Sequence, residues 1–172
     1  QAARESDAAI VVVGLDADWE TEGSDRVNLD LPGRQAELVA RVAAANPRTI
    51  VVLNAGGPID VESFVDAVPA LLQGCYLGQE AGRALADLIF GDVSPSGRLP
   101  TTWPRRLADV PGQLGYPGEF GRVTYAEGVF MGYRWYEARD IAPRFVFGHG
   151  LGYSGFTYDT LEIDRTQIVH GE

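Results

Sequence analysis

Cysteine is almost missing: Cys75 is the single one in 172 residues. No intramolecular disulfide and no cysteine-based zinc site can form. Such usage is compatible with a reducing compartment, and cytoplasmic residence is the expectation. Histidine is nearly as scarce, with two residues, His149 and His170. No run of about 18 apolar residues occurs, so the sequence offers no membrane-spanning helix. Gln1 to Asp7 has none of the regions of a secretory leader. The chain also lacks an initiator methionine, which points to a processed product, an excised fragment or a missing start. Positive charge is short: Lys+Arg is 14 against 24 Asp+Glu, a net charge of −10. Phosphate backbones and anionic lipid repel such a chain, so neither nucleic acid nor membrane is the expected partner. Neutral ligands such as sugars are not penalised.

What is present is a folded composition: 45% hydrophobic and 22% charged. The length suits one domain with one core. We place it at residues 1–165, with 166–172 as a frayed tail. Ala8 to Gly14 is apolar on both faces and reads as a central parallel strand. Arg34 to Ala45 reads as a helix, with Leu38, Val39 and Val42 at helical spacing and Asn46-Pro47 as its stop. Thr49 to Asn54 is a second strand and Val61 to Val68 a short helix. Pro69 to Tyr76 is a third strand, and Gly78 to Phe90 a helix capped by Gly91. This alternation predicts an α/β fold, a three-layer sandwich with a mainly parallel sheet flanked by helices. Pro95 to Gly121 reads as loop, Arg122 to Tyr136 as an aromatic-rich segment, and Phe156 to Ile163 as a strand-like tail.

Right-handed crossovers line up the strand C-termini along one edge. Three connections fall there: the Glu22 loop, Asn54-Gly57 and Tyr76-Gln79. The first, Trp19-Glu20-Thr21-Glu22-Gly23-Ser24-Asp25-Arg26, holds three carboxylates and an arginine just past a buried strand. Ligands and chemistry collect at that position in open α/β sheets. Read without further context, Glu20 and Glu22 are solvated carboxylates or a site, and Asp25 and Arg26 pair to shape the loop. Trp19 is either a sugar-stacking platform or an aromatic closing the sheet edge.

Several motifs then point one way. The Trp19 to Arg26 loop is followed by Leu29-Asp30-Leu31-Pro32-Gly33-Arg34-Gln35. Further on stand Gly78-Gln79-Glu80-Ala81-Gly82 and Gly91-Asp92-Val93-Ser94-Pro95-Ser96-Gly97-Arg98-Leu99-Pro100. Tyr125-Ala126-Glu127-Gly128 with Gly132-Tyr133-Arg134-Trp135-Tyr136, and Phe147-Gly148-His149-Gly150-Leu151, complete the set. In this order they resemble glycoside hydrolase family 3 β-glucosidases over nearly the whole chain, and only their α/β sandwich domain. The resemblance implies a barrel-domain partner carrying the nucleophilic aspartate. It makes Glu22 the acid/base, with Glu20 as the rival candidate; Trp19 and Arg26 are the candidate substrate-binding residues. A retaining site places two carboxyl groups about 5–5.5 Å apart, and a carboxyl at a cleft beside other acids can serve as proton donor. The substrate implied is a small β-glycoside; no metal site and no organic cofactor is implied.

The chain departs from that pattern at Ser24, where the family usually has an aromatic. This opens a second reading: a free-standing ester hydrolase with Ser24 as nucleophile, His149 as base, and Asp25 or Glu22 orienting the imidazole. No Gly-x-Ser-x-Gly elbow supports it. A third reading is a non-catalytic module that binds sugar or packs on a barrel. A sandwich apart from its barrel exposes an apolar patch, which favours pairing with that partner or with a second copy.

Overall fold

Ile10 to Val13 are all β-branched, a sequence suited to a pleated, packed surface. They form β1 (Ala9–Gly14) of a computed structural model that describes residues 1–164. β2 (Thr49–Asn54) and β3 (Ala70–Gln73) pair in parallel with it in the order β1-β2-β3. Ala9 lies opposite Thr49 and Gly14 opposite Asn54; Ile50 lies opposite Ala70 and Leu53 opposite Gln73. The predicted α/β sandwich with its parallel sheet is therefore present. The central strand, however, is β2, whose Val51, Val52 and Leu53 are fully buried. β1 lies at an edge of the described sheet. Its Val11 and Val13 enter the core, while the alternate pleat leaves Ile10 50% and Val12 62% exposed. No described element pairs with its outer edge.

α2 (Gln35–Ala45) packs on β1 and β2 through Val39 and Ala43, one helical turn apart. Leu38, expected on that face, points outward instead. Gln35 fastens the helix to the sheet. Its side-chain oxygen accepts the Gly14 amide at 2.7 Å and its nitrogen donates to the Gly14 carbonyl at 3.0 Å. Both polar groups at the strand end are thus satisfied by one amide. We expect Gln35→Ala to lower unfolding free energy by about 1–3 kcal/mol, the cost of two lost bonds at a half-buried site, read by urea titration. At the other end buried Asn46 donates to the carbonyls of Ala3 and Ser6, tying α1 (Ala2–Glu5) to the end of α2.

Ile59, Val61 and Phe64 are fully buried beneath the sheet end. Val61 to Val68 starts as a helical turn but continues only as a 3-10 turn, Val65–Ala67. Pro69 disfavours helical backbone at Val68, which is extended. β3 is shorter than expected because Cys75 takes a left-handed φ of 50° and turns the chain away. Cys75 is therefore a half-buried turn residue. α3 (Ala81–Phe90) ends on Gly91 at φ 83°, as its sequence predicts. The long Pro- and Gly-rich stretch contains two 3-10 turns, Leu107–Asp109 and Pro111–Leu114, before α4 (Tyr133–Ala138). Phe156 to Ile163, expected as a strand-like tail, forms no strand and is exposed. The proposed tail at 166–172 lies outside the described residues.

Trp103 joins the later segments to the core. Its indole N–H donates to the Ile59 carbonyl at 2.8 Å, and its backbone bridges Phe145. Among the fully buried side chains Phe64 is the largest. Phe64→Ala is expected to cost about 3–5 kcal/mol, seen as a lower denaturation midpoint.

Candidate active site

The chain leaves β1 at the carboxyl edge of the sheet and turns at once. The Asp16 carbonyl accepts the amides of Trp19 and Glu20 at 3.0 and 2.9 Å, and its side chain accepts the Asp18 amide. Thr21 and Ser24 then form an antiparallel bridge. Glu22 and Gly23 are thereby set at the tip of a tight turn. Glu22 is exposed, and among the described residues its side chain has no hydrogen bond or ion pair.

The carboxylates on either side are tied down. Glu20 accepts the Gly56 amide at 2.8 Å and the Tyr76 phenol. A Cβ at Gly56 would lie 3.1 Å from the Glu20 carboxylate and from the Tyr76 ring, so glycine allows this close approach. Partial burial pushes the Glu20 carboxyl up. The Tyr76 hydroxyl, the Gly56 amide and the Arg26 charge outweigh it and hold the group below its ordinary value. Burial, then the Glu20 carboxylate, raise Tyr76 in turn. Asp25 accepts a hydrogen bond from the Tyr116 phenol, which raises Tyr116. The expected Asp25–Arg26 pair is absent among the described residues. Arg26 reaches instead to the Pro58 carbonyl at 2.8 Å, because the turn sends the two side chains to different neighbours. Arg26 and Glu20 together draw the loops after β1, β2 and β3 to one place, as the topology predicts.

The Glu20 shift has a consequence for stability. A carboxyl held low in the folded state stabilises the fold above its unfolded value and ceases to do so as pH falls through the folded one. Wild type should therefore exceed Glu20→Gln in stability at neutral pH. The gap should close below the ordinary carboxylate range. Urea titrations at pH 7 and pH 3 check this.

A hollow of about 360 Å³ adjoins the turn, lined by Glu20, Thr21, Ser24, Asp25, Arg26 and Tyr116 among others. Trp19 stands half exposed at the loop's start. His149 is elsewhere: its ring stacks on Phe145 at 4.9 Å and its carbonyl accepts the Leu99 amide. No hydrogen bond links it to Ser24 among the described residues, and it does not line the hollow that holds Ser24. The serine and histidine of the esterase reading are thus not brought together, while His170 lies outside the described residues. A larger hollow, about 500 Å³, sits beside α4 and is lined by Thr102, Tyr133, Tyr136, Glu137, Asp140 and Phe147 among others. Burial and the charge of Asp109 push the Tyr136 phenol up to about 12. Around it, Tyr133 packs on Phe147 and the Arg139 guanidinium lies 3.8 Å over Trp135. The sequence reading takes Tyr76 only as the start of an edge turn and does not single out Tyr116. Tyr116 lies 91 residues from Asp25, and no spacing announces that contact.

The family model for the glycosyl hydrolase family 3 C-terminal domain matches residues 1–153. A β-glucosidase of Rhizobium radiobacter is 47% identical over 172 residues, covering 98% of this chain and 21% of its own. A probable β-glucosidase J of Aspergillus fumigatus is 46% identical over 166 residues, covering 96% and 19%. Among solved structures, the β-glucosidase of Kluyveromyces marxianus in complex with glucose matches at a TM-score of 0.86 and 45% identity, over 90% of this chain and 18% of its own. β-Glucosidase 3B of Thermotoga neapolitana, with α-D-glucose, gives 0.87 at 34% identity, over 96% and 24%. The chain spans about a fifth of the length of the curated relatives it matches. These relatives bear the names of glucosidases, so the ester hydrolase reading is not favoured. The chain belongs to glycosyl hydrolase family 3, as its C-terminal α/β sandwich domain.

Proposed function

We propose that this domain supplies the general acid/base of a retaining β-glucosidase, and that Glu22 is that group. One observation carries the assignment. Of the three carboxylates in the Trp19 to Arg26 loop, only Glu22 has an unengaged side chain among the described residues, and it stands at the tip of a turn whose neighbours are fixed. An unengaged carboxyl is free to meet the leaving oxygen. Glu20 is unsuited to the role: its hydrogen bonds and the Arg26 charge favour the ionised form, which has no proton to give. The relatives' names support a β-glucoside as substrate.

Retention needs a second carboxyl across the scissile bond, as nucleophile. In this reading a barrel domain provides it, with Trp19 and Arg26 bordering the shared cleft. The chain by itself should then turn over no aryl β-glucoside. The same residues joined to a barrel should do so. Short-chain aryl esters offered in parallel should be left intact by the chain alone. Ester turnover lost on Ser24→Ala or His149→Ala would reverse the proposal.

A further inference from the structure

The Glu22 turn is short, exposed and held by few backbone bonds, yet a general acid must be fixed to within a fraction of an ångström. Burial does not fix it. Besides the Thr21–Ser24 bridge, what holds it is hydrogen bonding to the carboxylates on either side. Two residues before Glu22, the Glu20 carboxylate is gripped by the Tyr76 phenol and the Gly56 amide. Three residues after it, the Asp25 carboxylate is gripped by the Tyr116 phenol. The two phenols come from separate parts of the fold. Tyr76 follows β3, and Tyr116 follows the 3-10 turn Pro111–Leu114. Both rings are about half exposed, so packing alone does not explain them. Each donates to a charged acceptor, the stronger class of hydrogen bond.

We infer that Tyr76 and Tyr116 are positioning residues: through Glu20 and Asp25 they clamp the turn from both sides and aim Glu22 at the leaving-group oxygen. The inference rests on the assignment of Glu22 above. It assigns the phenols no proton transfer. Their raised ionisation keeps each hydroxyl protonated, and so able to donate, at any pH where the enzyme would work. Arg26, bonded to Pro58, holds the same loop at a third point but does not touch either carboxylate by hydrogen bond.

A clamp that aims a proton donor matters only when the leaving group needs a proton. The test therefore compares an alkyl β-glucoside with 2,4-dinitrophenyl β-glucoside, whose phenolate leaves unassisted. Both are assayed with the whole polypeptide carrying this domain and its barrel. Tyr76→Phe and Tyr116→Phe, which remove one oxygen each, should lower kcat/KM on the alkyl glucoside by about 10- to 100-fold. On the dinitrophenyl glucoside the change should stay within about threefold, with kcat/KM and thermal midpoint as the paired readouts. Glu22→Gln is run alongside. If it shows the same leaving-group split and the phenylalanine variants do not, the clamp is wrong and the Glu22 assignment stands. If it depresses both substrates equally, the assignment itself fails and the clamp falls with it. Equal losses on both substrates in the phenylalanine variants, tracking a lowered thermal midpoint, would reduce the tyrosines to ordinary structural residues and also overturn the inference.

Discussion

Glu22→Gln should lower kcat on alkyl β-glucosides by about 10²- to 10⁴-fold, the usual contribution of a positioned general acid. The substitution keeps the shape of the side chain and removes the transferable proton. Folding should be untouched, because Glu22 is exposed and makes no side-chain bond that the described fold needs. The loss should depend on the leaving group. Alkyl alkoxides cannot depart unprotonated, whereas dinitrophenolate can. With the activated substrate, formation of the glycosyl intermediate should stay fast and its hydrolysis should become limiting, since on the proposed assignment the same carboxylate would act as base in that step. Added azide, an anion that needs no base, should then restore turnover. The measurement is steady-state kinetics on both substrates with and without azide. A uniform loss, unrelieved by azide, would place the proton donor elsewhere. Glu20→Gln should differ in kind. It keeps an acceptor oxygen but removes the charge that strengthens one side of the clamp, so the damage should include lower stability at neutral pH.

The second large effect concerns the fold. Gly14→Ala should destabilise the chain by about 4 kcal/mol or more. A Cβ there would sit 2.0 Å from the carbonyl oxygen of Asn54 and 2.6 Å from its carbon. The obstacle is backbone of the neighbouring strand, which cannot swing aside as a side chain would. Relief requires parting β1 from β2, and Gln35 bonds to the very residue that would move. Against a typical total stability of about 5–15 kcal/mol, such a loss would leave much of the chain unfolded at body temperature. Gly23→Ala is the control: nothing lies within 4 Å of its added Cβ, and a change within about 0.5 kcal/mol is expected. Urea titration of both variants decides. A Gly14→Ala midpoint close to wild type would show that the two strand ends are looser than the structure shows them.

Local signals were legible where local physics decides. The β-branched runs gave β1 and β2 because continuous apolar sequence suits a parallel sheet, and Gly91 marked the end of α3 by its left-handed backbone. The convergence of three loops was legible too, since it follows from handedness. Position within the sheet was not. The residues of β1 read as a central strand, but pairing depends on what lies beside it, and one neighbour is present among the described residues. Leu38 was misplaced because helical spacing admits two adjacent stripes, and only the sheet's location chooses Val39 and Ala43. At the site, the loop announced itself by its density of charge. The division of labour within it did not. Tyr76, Gly56 and Tyr116 separate the fixed carboxylates from the free one, and all three are distant in sequence from the groups they hold.

The most direct test is a distance. If the proposal is right, a structure of the whole polypeptide should place the Glu22 carboxyl about 5–5.5 Å from the proposed barrel's nucleophilic carboxyl, across a cleft wide enough for one sugar ring. A Glu22 side chain facing bulk solvent more than about 10 Å from that carboxyl, outside even the span of an inverting pair, would contradict the account.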